Sequence, residues 1–174
     1  MSHISAYFHP HLYFDQTVLD RELSDLFRAW PGYVGHTGTV PNIWDYRSLK
    51  HEHDARILTH SKDGIKLLSN ICRHRQAIML RGEWNGKAIT CPLHKWAWNT
   101  DGTMIWAPHF DESPCLHLRS WPLTEWRWLL FSGKRDIQSE LRDVGFEKEV
   151  NFENFVYHHT EYHHCNQNWK TFME

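Results

Sequence analysis

Two short stretches limit this chain more tightly than anything else in it: Cys72-x-His74 and, further along, Cys91-x-x-His94. Each presents one thiol and one imidazole, so a fold that joins them gathers two sulfur and two nitrogen donors in one place. The chain has 15 histidines and only 4 cysteines in 174 residues. Histidine is also a common polar surface residue, so spacing carries the argument and abundance does not. A structural zinc site usually leaves about two to four residues between paired cysteines and three to five between paired histidines, and a one-residue gap fits that poorly.

A 2Fe-2S centre of mixed ligation asks for two thiolates on one iron and two imidazoles on the other. Two loops, each carrying one Cys and one His, meet that demand symmetrically, and Cys72, His74, Cys91 and His94 are the candidate ligands. The surroundings agree. Trp84-Asn85-Gly86-Lys87 predicts a tight hairpin whose second strand, residues 88–90, delivers Cys91 to the second loop, which Pro92 stiffens. A further hairpin is predicted at Asp101-Gly102, with Trp96, Trp98 and Trp106 packing beneath the loops. Loop backbone N–H groups can donate to the sulfurs and tune the potential.

The rest of the chain frames this centre. At roughly 150 residues per domain, 174 residues predict one domain with an appendage, or one domain and part of a second. Leu19, Leu23, Leu26 and Trp30 recur at helical spacing between an Asp15 cap and the Pro31-Gly32 stop, predicting an amphipathic helix. After Gly32 the pattern turns to short β-prone pieces, and the middle is predicted to be mainly antiparallel β. Residues 121–131 predict a buried strand at their end, 134–143 a helix or linker, and 166–174 the opening of a helix with an Asn near its cap. A formal net charge of −2 leaves no basic footprint for nucleic acid. The N-terminus has no signal-peptide pattern and no apolar run spans a membrane, so a cytoplasmic protein with reduced cysteines is expected.

The motif Asn70-Ile71-Cys72-Arg73-His74-Arg75, then Cys91-Pro92-Leu93-His94-Lys95-Trp96 and Asp101-Gly102, resembles the Rieske domain of the Rieske non-haem iron oxygenases, the ring-hydroxylating dioxygenase large-subunit family. Upstream, Tyr33-Val34-Gly35-His36 with Val40-Pro41-Asn42 resembles that domain's first strands. Downstream, Asn168-Trp169-Lys170 resembles the start of the family's catalytic domain. The resemblance implies a Rieske-type antiparallel β-sheet domain with a 2Fe-2S cluster held by two loops. An N-terminal helix precedes it and the start of an α+β catalytic domain follows. The expected boundaries are 1–32 for the extension, 33–143 for the Rieske domain and 144–174 for the start of the catalytic domain.

It also implies a reductase or ferredoxin as electron donor, a homotrimer at full length, and a mononuclear non-haem iron in the catalytic domain. The chain is expected to stop before that iron's ligands, so no catalytic residue is assigned here. The high-potential respiratory class adds a Cys pair between the loops. The corresponding positions here are Ala77 and Leu93, so a potential toward the low end of the range, on the order of −150 mV, is implied. A stand-alone Rieske ferredoxin is the alternative, and a structural zinc module a minor one.

Two departures from the family stand out. Gln76 follows the His-Arg pair where the family commonly has Gly, predicting an altered loop with the cluster retained. Trp44 precedes Asp45 where the family often has Gly-Asp, predicting a change of local packing. Outside the motif, His159-x-Glu161 in the His-rich stretch 158–165 looks like part of an iron-binding set. It has no third partner and is read as a polar segment. Cys115 and Cys165 are read as ordinary thiols, Trp121, Trp126 and Trp128 as core and interface aromatics, and Arg73 and Arg75 as charges beside the centre.

Overall fold

The structure, a computed structural model, describes residues 9–29, 32–142, 145, 149–152 and 154–173. Trp30 and Pro31 at the expected helix stop, Asp143 and Val144 at an expected boundary, and Glu174 lie outside the described residues. Two compact units emerge, Pro31–His158 and a second that combines Met1–Trp30 with His159–Glu174.

The larger unit is mainly antiparallel β. Its strands are β1 (Gly32–His36), β2 (Asp45–Ser48), β3 (Arg56–Ser61), β4 (Gly64–Ser69), β5 (Glu83–Asn85), β6 (Ala88–Thr90), β7 (Ala97–Asn99), β8 (Met104–Trp106), β9 (Ser120–Trp121), β10 (Leu123–Trp126) and β11 (Leu129–Ser132), and a short helix α1 (Ile137–Arg142) follows. They form three sheets, ordered β1-β11-β10, β5-β2-β3-β4-β9 and β6-β7-β8.

Layering follows from two apolar doublets. Strands β3 and β4 form a hairpin in which Ile57 faces Leu68 and Leu58 faces Leu67 across the ladder. Successive strand side chains point to opposite faces, so a doublet on each strand requires both faces to be covered. Ile57 and Leu68 enter one core with Ile89, Trp98 and Met104, while Leu58 and Leu67 enter another with Val34, Val40 and Leu130. All four doublet residues are fully buried, and burial of each contributes about 1.5–3 kcal/mol. The five-stranded sheet is therefore a shared wall, with the predicted ligand loops on one side of it.

One expected hairpin is replaced by a crossover. Asn85-Gly86 does not join paired strands: β5 pairs with β2, and β6 pairs with β7. Gly86 carries the chain from one sheet into the next, and the side chain of Asn85 bonds across to the Ile43 carbonyl and Asp45 instead of forming a two-residue turn. The Asp101-Gly102 turn does join β7 to β8. Gly102 is left-handed (φ +90°), and the Asp101 carboxylate accepts the Thr103 N–H at 2.7 Å. A hairpin that composition did not signal joins β10 to β11, with Arg127 and Trp128 both at positive φ.

In the smaller unit, α2 (Gln16–Glu22) continues into a π-helical turn, Leu23–Phe27. As expected, Asp15 caps it, its carboxylate accepting the Thr17 and Val18 N–H groups at 2.8 and 3.3 Å. The C-terminal helix α3 (Trp169–Met173) is capped by Asn168, whose Oδ1 accepts the Lys170 N–H. Among the described residues no helix is long and apolar enough to cross a membrane.

Candidate metal centre

The two motif stretches fold into loops of the same backbone pattern. In the first, the Cys72 N–H donates to the Ala77 carbonyl at 2.8 Å, and the Cys72 carbonyl accepts the Gln76 N–H at 3.0 Å. In the second, the Cys91 N–H donates to the Trp96 carbonyl at 2.8 Å, and the Cys91 carbonyl accepts the Lys95 N–H at 3.1 Å. A bridge between Ile71 and Ile78 closes the first loop, and the pairing of Thr90 with Ala97 closes the second. Both loops turn on a left-handed residue, Gln76 at φ 55° and Lys95 at φ 60°. The first loop thus shares the closing pattern of the second, and Gln76 adopts the conformation that glycine favours. Trp44, where the family often has Gly, is also left-handed, at φ 76°, and the Lys87 ammonium lies over its ring at 5.0 Å.

Left-handed backbone costs a non-glycine residue about 1–2 kcal/mol, and glycine's extra unfolded-state entropy offsets part of the gain from replacing it. Gln76→Gly is therefore expected to stabilise the chain by about 0.5–1 kcal/mol, read from the midpoint of urea unfolding. A variant no more stable than the parent would show that Gln76 makes a compensating contact.

Polar residues pin the loops to the wall. Asn70 is fully buried, and its side chain donates to the carbonyls of Asp54 and Leu80 and accepts the Leu80 N–H. Both ends of the first loop are held by this one amide. The Thr59 hydroxyl, on β3, donates to the Thr100 carbonyl at 2.7 Å and anchors the hairpin behind the second loop. The Trp98 indole N–H donates to the Leu116 carbonyl at 2.9 Å. Asn70 appears in the motif, but only the structure gives it this work. Thr59 left no sequence signal, because its partner is a backbone group 41 positions away.

At the loop tips the four predicted residues come together in two pairs. Cys72 and Cys91 are buried, at 2% and 1% exposure, and their thiols interact. The rings of His74 and His94 meet edge to face with centroids 4.7 Å apart. His74 also lies flat on Trp96, at 4.7 Å and 7° between planes. Trp96 and Trp98 pack beneath as expected, whereas Trp106 is 57% exposed, because β8 is an edge strand and turns that ring outward. Arg73, Arg75, Lys95 and His94 are exposed around the tip.

The electrostatics suit two sulfurs and two neutral imidazoles. Burial pushes the Cys72 thiol up; the N–H groups of His74 and Arg75, hydrogen-bonded to its sulfur, pull the other way, and the Cys91 thiol adds to the rise. Desolvation holds His74 below the usual histidine range, helped by its neighbours His94 and Arg75. His74 thus enters neutral, while at least one thiol must lose a proton when metal binds. Loading of the metal-free chain with ferrous iron and sulfide is expected to accelerate from pH 6.5 to pH 8.5. A rate that is flat over that interval would mean that thiol ionisation does not limit assembly.

A 2Fe-2S cluster fits these residues. The His74 Nδ1 is buried and has no hydrogen-bond partner, and such an orphaned nitrogen is costly unless something accepts its lone pair. Among the described residues no three His, Cys, Asp or Glu side chains are placed to hold one metal ion. A tetrahedral zinc needs four donors around a single point; here the donors stand as a thiol pair and an imidazole pair. In the stretch 158–165, Glu161 is taken up by His159 and His163 at 3.0 and 3.1 Å on an exposed surface.

Comparison with known proteins agrees with this geometry. The model of the Rieske [2Fe-2S] domain matches residues 33–122. A putrescine 2-hydroxylase of Ralstonia nicotianae is 44% identical over 162 residues, covering 93% of this chain and 44% of that protein. The chlorobenzene dioxygenase subunit alpha of a Cupriavidus species is 33% identical over 128 residues, covering 71% and 28%. The chain spans less than half the length of these curated relatives. Among solved structures, a naphthalene 1,2-dioxygenase from Rhodococcus shares the fold with a TM-score of 0.67 at 21% identity, over 79% of this chain and 34% of that one. A quaternary ammonium Rieske monooxygenase does so with a TM-score of 0.66 at 21% identity, over 79% and 40%. The matched span contains both loops, the buried thiols and the facing imidazoles, and the chain belongs to the Rieske [2Fe-2S] domain family.

Proposed function

We propose that this chain is the electron-relay portion of a Rieske oxygenase, with Cys72 and Cys91 holding one iron of the cluster and His74 and His94 the other. The observation that carries the reading is the pair of like-shaped loops that present a buried thiol pair and a facing imidazole pair. When bound, the cluster supplies reversible one-electron transfer. The chain's own residues keep the sulfur side dry and leave the imidazole side open. Cys72 and Cys91 are covered by Met79, Trp96 and Trp98, whereas His94 and Leu93 face solvent. A reductase or ferredoxin delivers electrons at that open edge. Exposed Arg73, Arg75 and Lys95 around it offset the negative charge of a thiolate-bound cluster and attract carboxylates on a partner.

Electrons then pass to a mononuclear iron in a catalytic domain, in a full-length homotrimer, and the chain is inactive as an oxygenase without that domain. The relay domain is assigned residues 33–143. The smaller unit favours the oxygenase over a free ferredoxin, since the Asn168-Trp169-Lys170 segment is packed with the N-terminal arm and a carrier needs no such element. The 44% identity to a putrescine 2-hydroxylase extends the reading to hydroxylation of a small aliphatic amine by the full-length protein.

The test is an EPR spectrum of the iron-reconstituted, reduced chain, which is expected to show the mixed-ligand Rieske signature. A colourless, silent protein with one bound zinc would overturn the reading. His94→Cys is expected to lower the potential by roughly 100 mV or more, since all-thiolate plant-type clusters lie near −400 mV. An unchanged potential would mean that His94 is not a ligand.

A further inference from the structure

The two loops are held close to each other, yet no disulfide joins them: all four cysteines are free, and the residues at the expected bridging positions are Ala77 and Leu93. Trp96 touches both loops. Its backbone carbonyl closes the second loop by accepting the Cys91 N–H at 2.8 Å, and its indole lies flat against His74 of the first. The indole is 3% exposed and cannot swing away. Phe110 meets it edge-on at 5.5 Å and 88°, and Trp98 sits at 6.3 Å.

We infer that Trp96 is the tie between the loops and a positioning residue for His74, holding by aromatic stacking what a covalent bridge would otherwise hold. An imidazole can rotate about its Cβ–Cγ bond, and the direction of its Nδ1 lone pair rotates with it. A flat indole against the ring face removes that freedom, in the way that outer-shell groups orient metal ligands elsewhere. An aliphatic side chain of similar bulk fills the space without imposing a plane, so planarity and volume have separable effects. The inference rests on the ligand assignment proposed above.

The experiment compares reconstituted Trp96→Leu, Trp96→Phe and Trp98→Leu chains. Trp98 is as deeply buried and serves as the control for a purely structural loss. The readouts are the rate at which a ferrous chelator strips the reduced cluster under anaerobic conditions and the g-values of the EPR spectrum. Trp96→Leu is expected to lose iron about tenfold faster than the parent or more and to shift the g-values. Trp96→Phe, which restores a plane, is expected to recover most of both. Trp98→Leu is expected to lower thermal stability with the g-values unmoved. If Trp96→Leu does not accumulate in folded form, Trp96→Met takes its place in the comparison. Equal effects of the Trp96 and Trp98 substitutions, or a Phe variant no better than the aliphatic one, would overturn the tie. A parent chain that holds no such cluster would instead overturn the ligand assignment beneath it.

Discussion

Cys91→Ala is expected to give a folded β domain that holds no cluster. The backbone of residue 91 does its structural work through its N–H and carbonyl, and alanine retains both. Removing a buried sulfur leaves a small cavity among Trp96, Trp98 and Ile89, which costs about 1 kcal/mol. The metal side behaves differently. With one thiolate gone, an iron held by the cysteine pair would keep a single protein ligand, and Cys115 and Cys165 are exposed where Cys72 and Cys91 are buried. Iron and acid-labile sulfide are expected to fall by about tenfold or more, with the far-ultraviolet circular dichroism unchanged. Cys115→Ala is the control and is expected to keep its cluster. Full iron in the Cys91 variant would remove it from the ligand set.

The second large effect lies in the smaller unit. Lys170 is 4% exposed; its ammonium donates to the Leu12 carbonyl at 2.9 Å and contacts both Glu22 carboxylate oxygens at 2.6 and 2.7 Å. The Trp169 indole N–H also donates to Glu22 at 3.1 Å, and the Asn168 amide donates to the Tyr13 carbonyl at 2.8 Å. The three consecutive residues that resembled the opening of a catalytic domain thus each hold the N-terminal arm. Removing one partner of a buried ion pair leaves the other charge uncompensated, at a cost of about 3 kcal/mol. Lys170→Met is expected to accelerate amide exchange in α2 by on the order of a hundredfold, since local opening sets exchange in a small unit. Glu22→Gln, which keeps hydrogen-bonding capacity, is expected to cost less. Equal exchange in parent and Lys170→Met chains would mean that the pair contributes nothing.

The same pair predicts the response to acid. Burial alone would raise the Glu22 carboxyl, but the hydrogen bonds from Lys170 and Trp169, with the attraction of the ammonium, outweigh it and hold the group below the usual glutamate range. A carboxylate depressed on folding contributes stability above its unfolded pKa and loses it as pH falls through the folded value. The α2 amides are therefore expected to lose protection only below the ordinary glutamate range.

Legibility in the sequence tracked the range of the interaction. Asp15 caps its helix and Asp101-Gly102 turns its hairpin because both act on neighbours a few residues away, where residue type decides conformation. Cys72, His74, Cys91 and His94 stood out because a mixed-ligand cluster demands two thiols and two imidazoles, and the fold brings the two histidines together and buries both cysteines. Asn85-Gly86 misled, since its flanking strands find distant partners, β2 and β7, and a turn signal says nothing about pairing. Gln76, Trp44, Arg127 and Trp128 adopt left-handed backbone that their side chains do not favour, so the surrounding fold imposes it. The three-layer arrangement was written in the Ile57-Leu58 and Leu67-Leu68 doublets, but which layer covers which face depends on long-range packing.

The one-position offset between the motifs, His after one intervening residue in the first loop and after two in the second, has a directional effect. Because the loop backbones are alike, the offset turns one imidazole inward against Trp96 and leaves the other at the rim. Two chemically identical imidazoles are thereby made unequal, one fixed against an indole and the other at the rim. In the electron-relay reading proposed above, traffic with the outside would converge on a single imidazole edge, and a donor and an acceptor that both need close approach would take turns there.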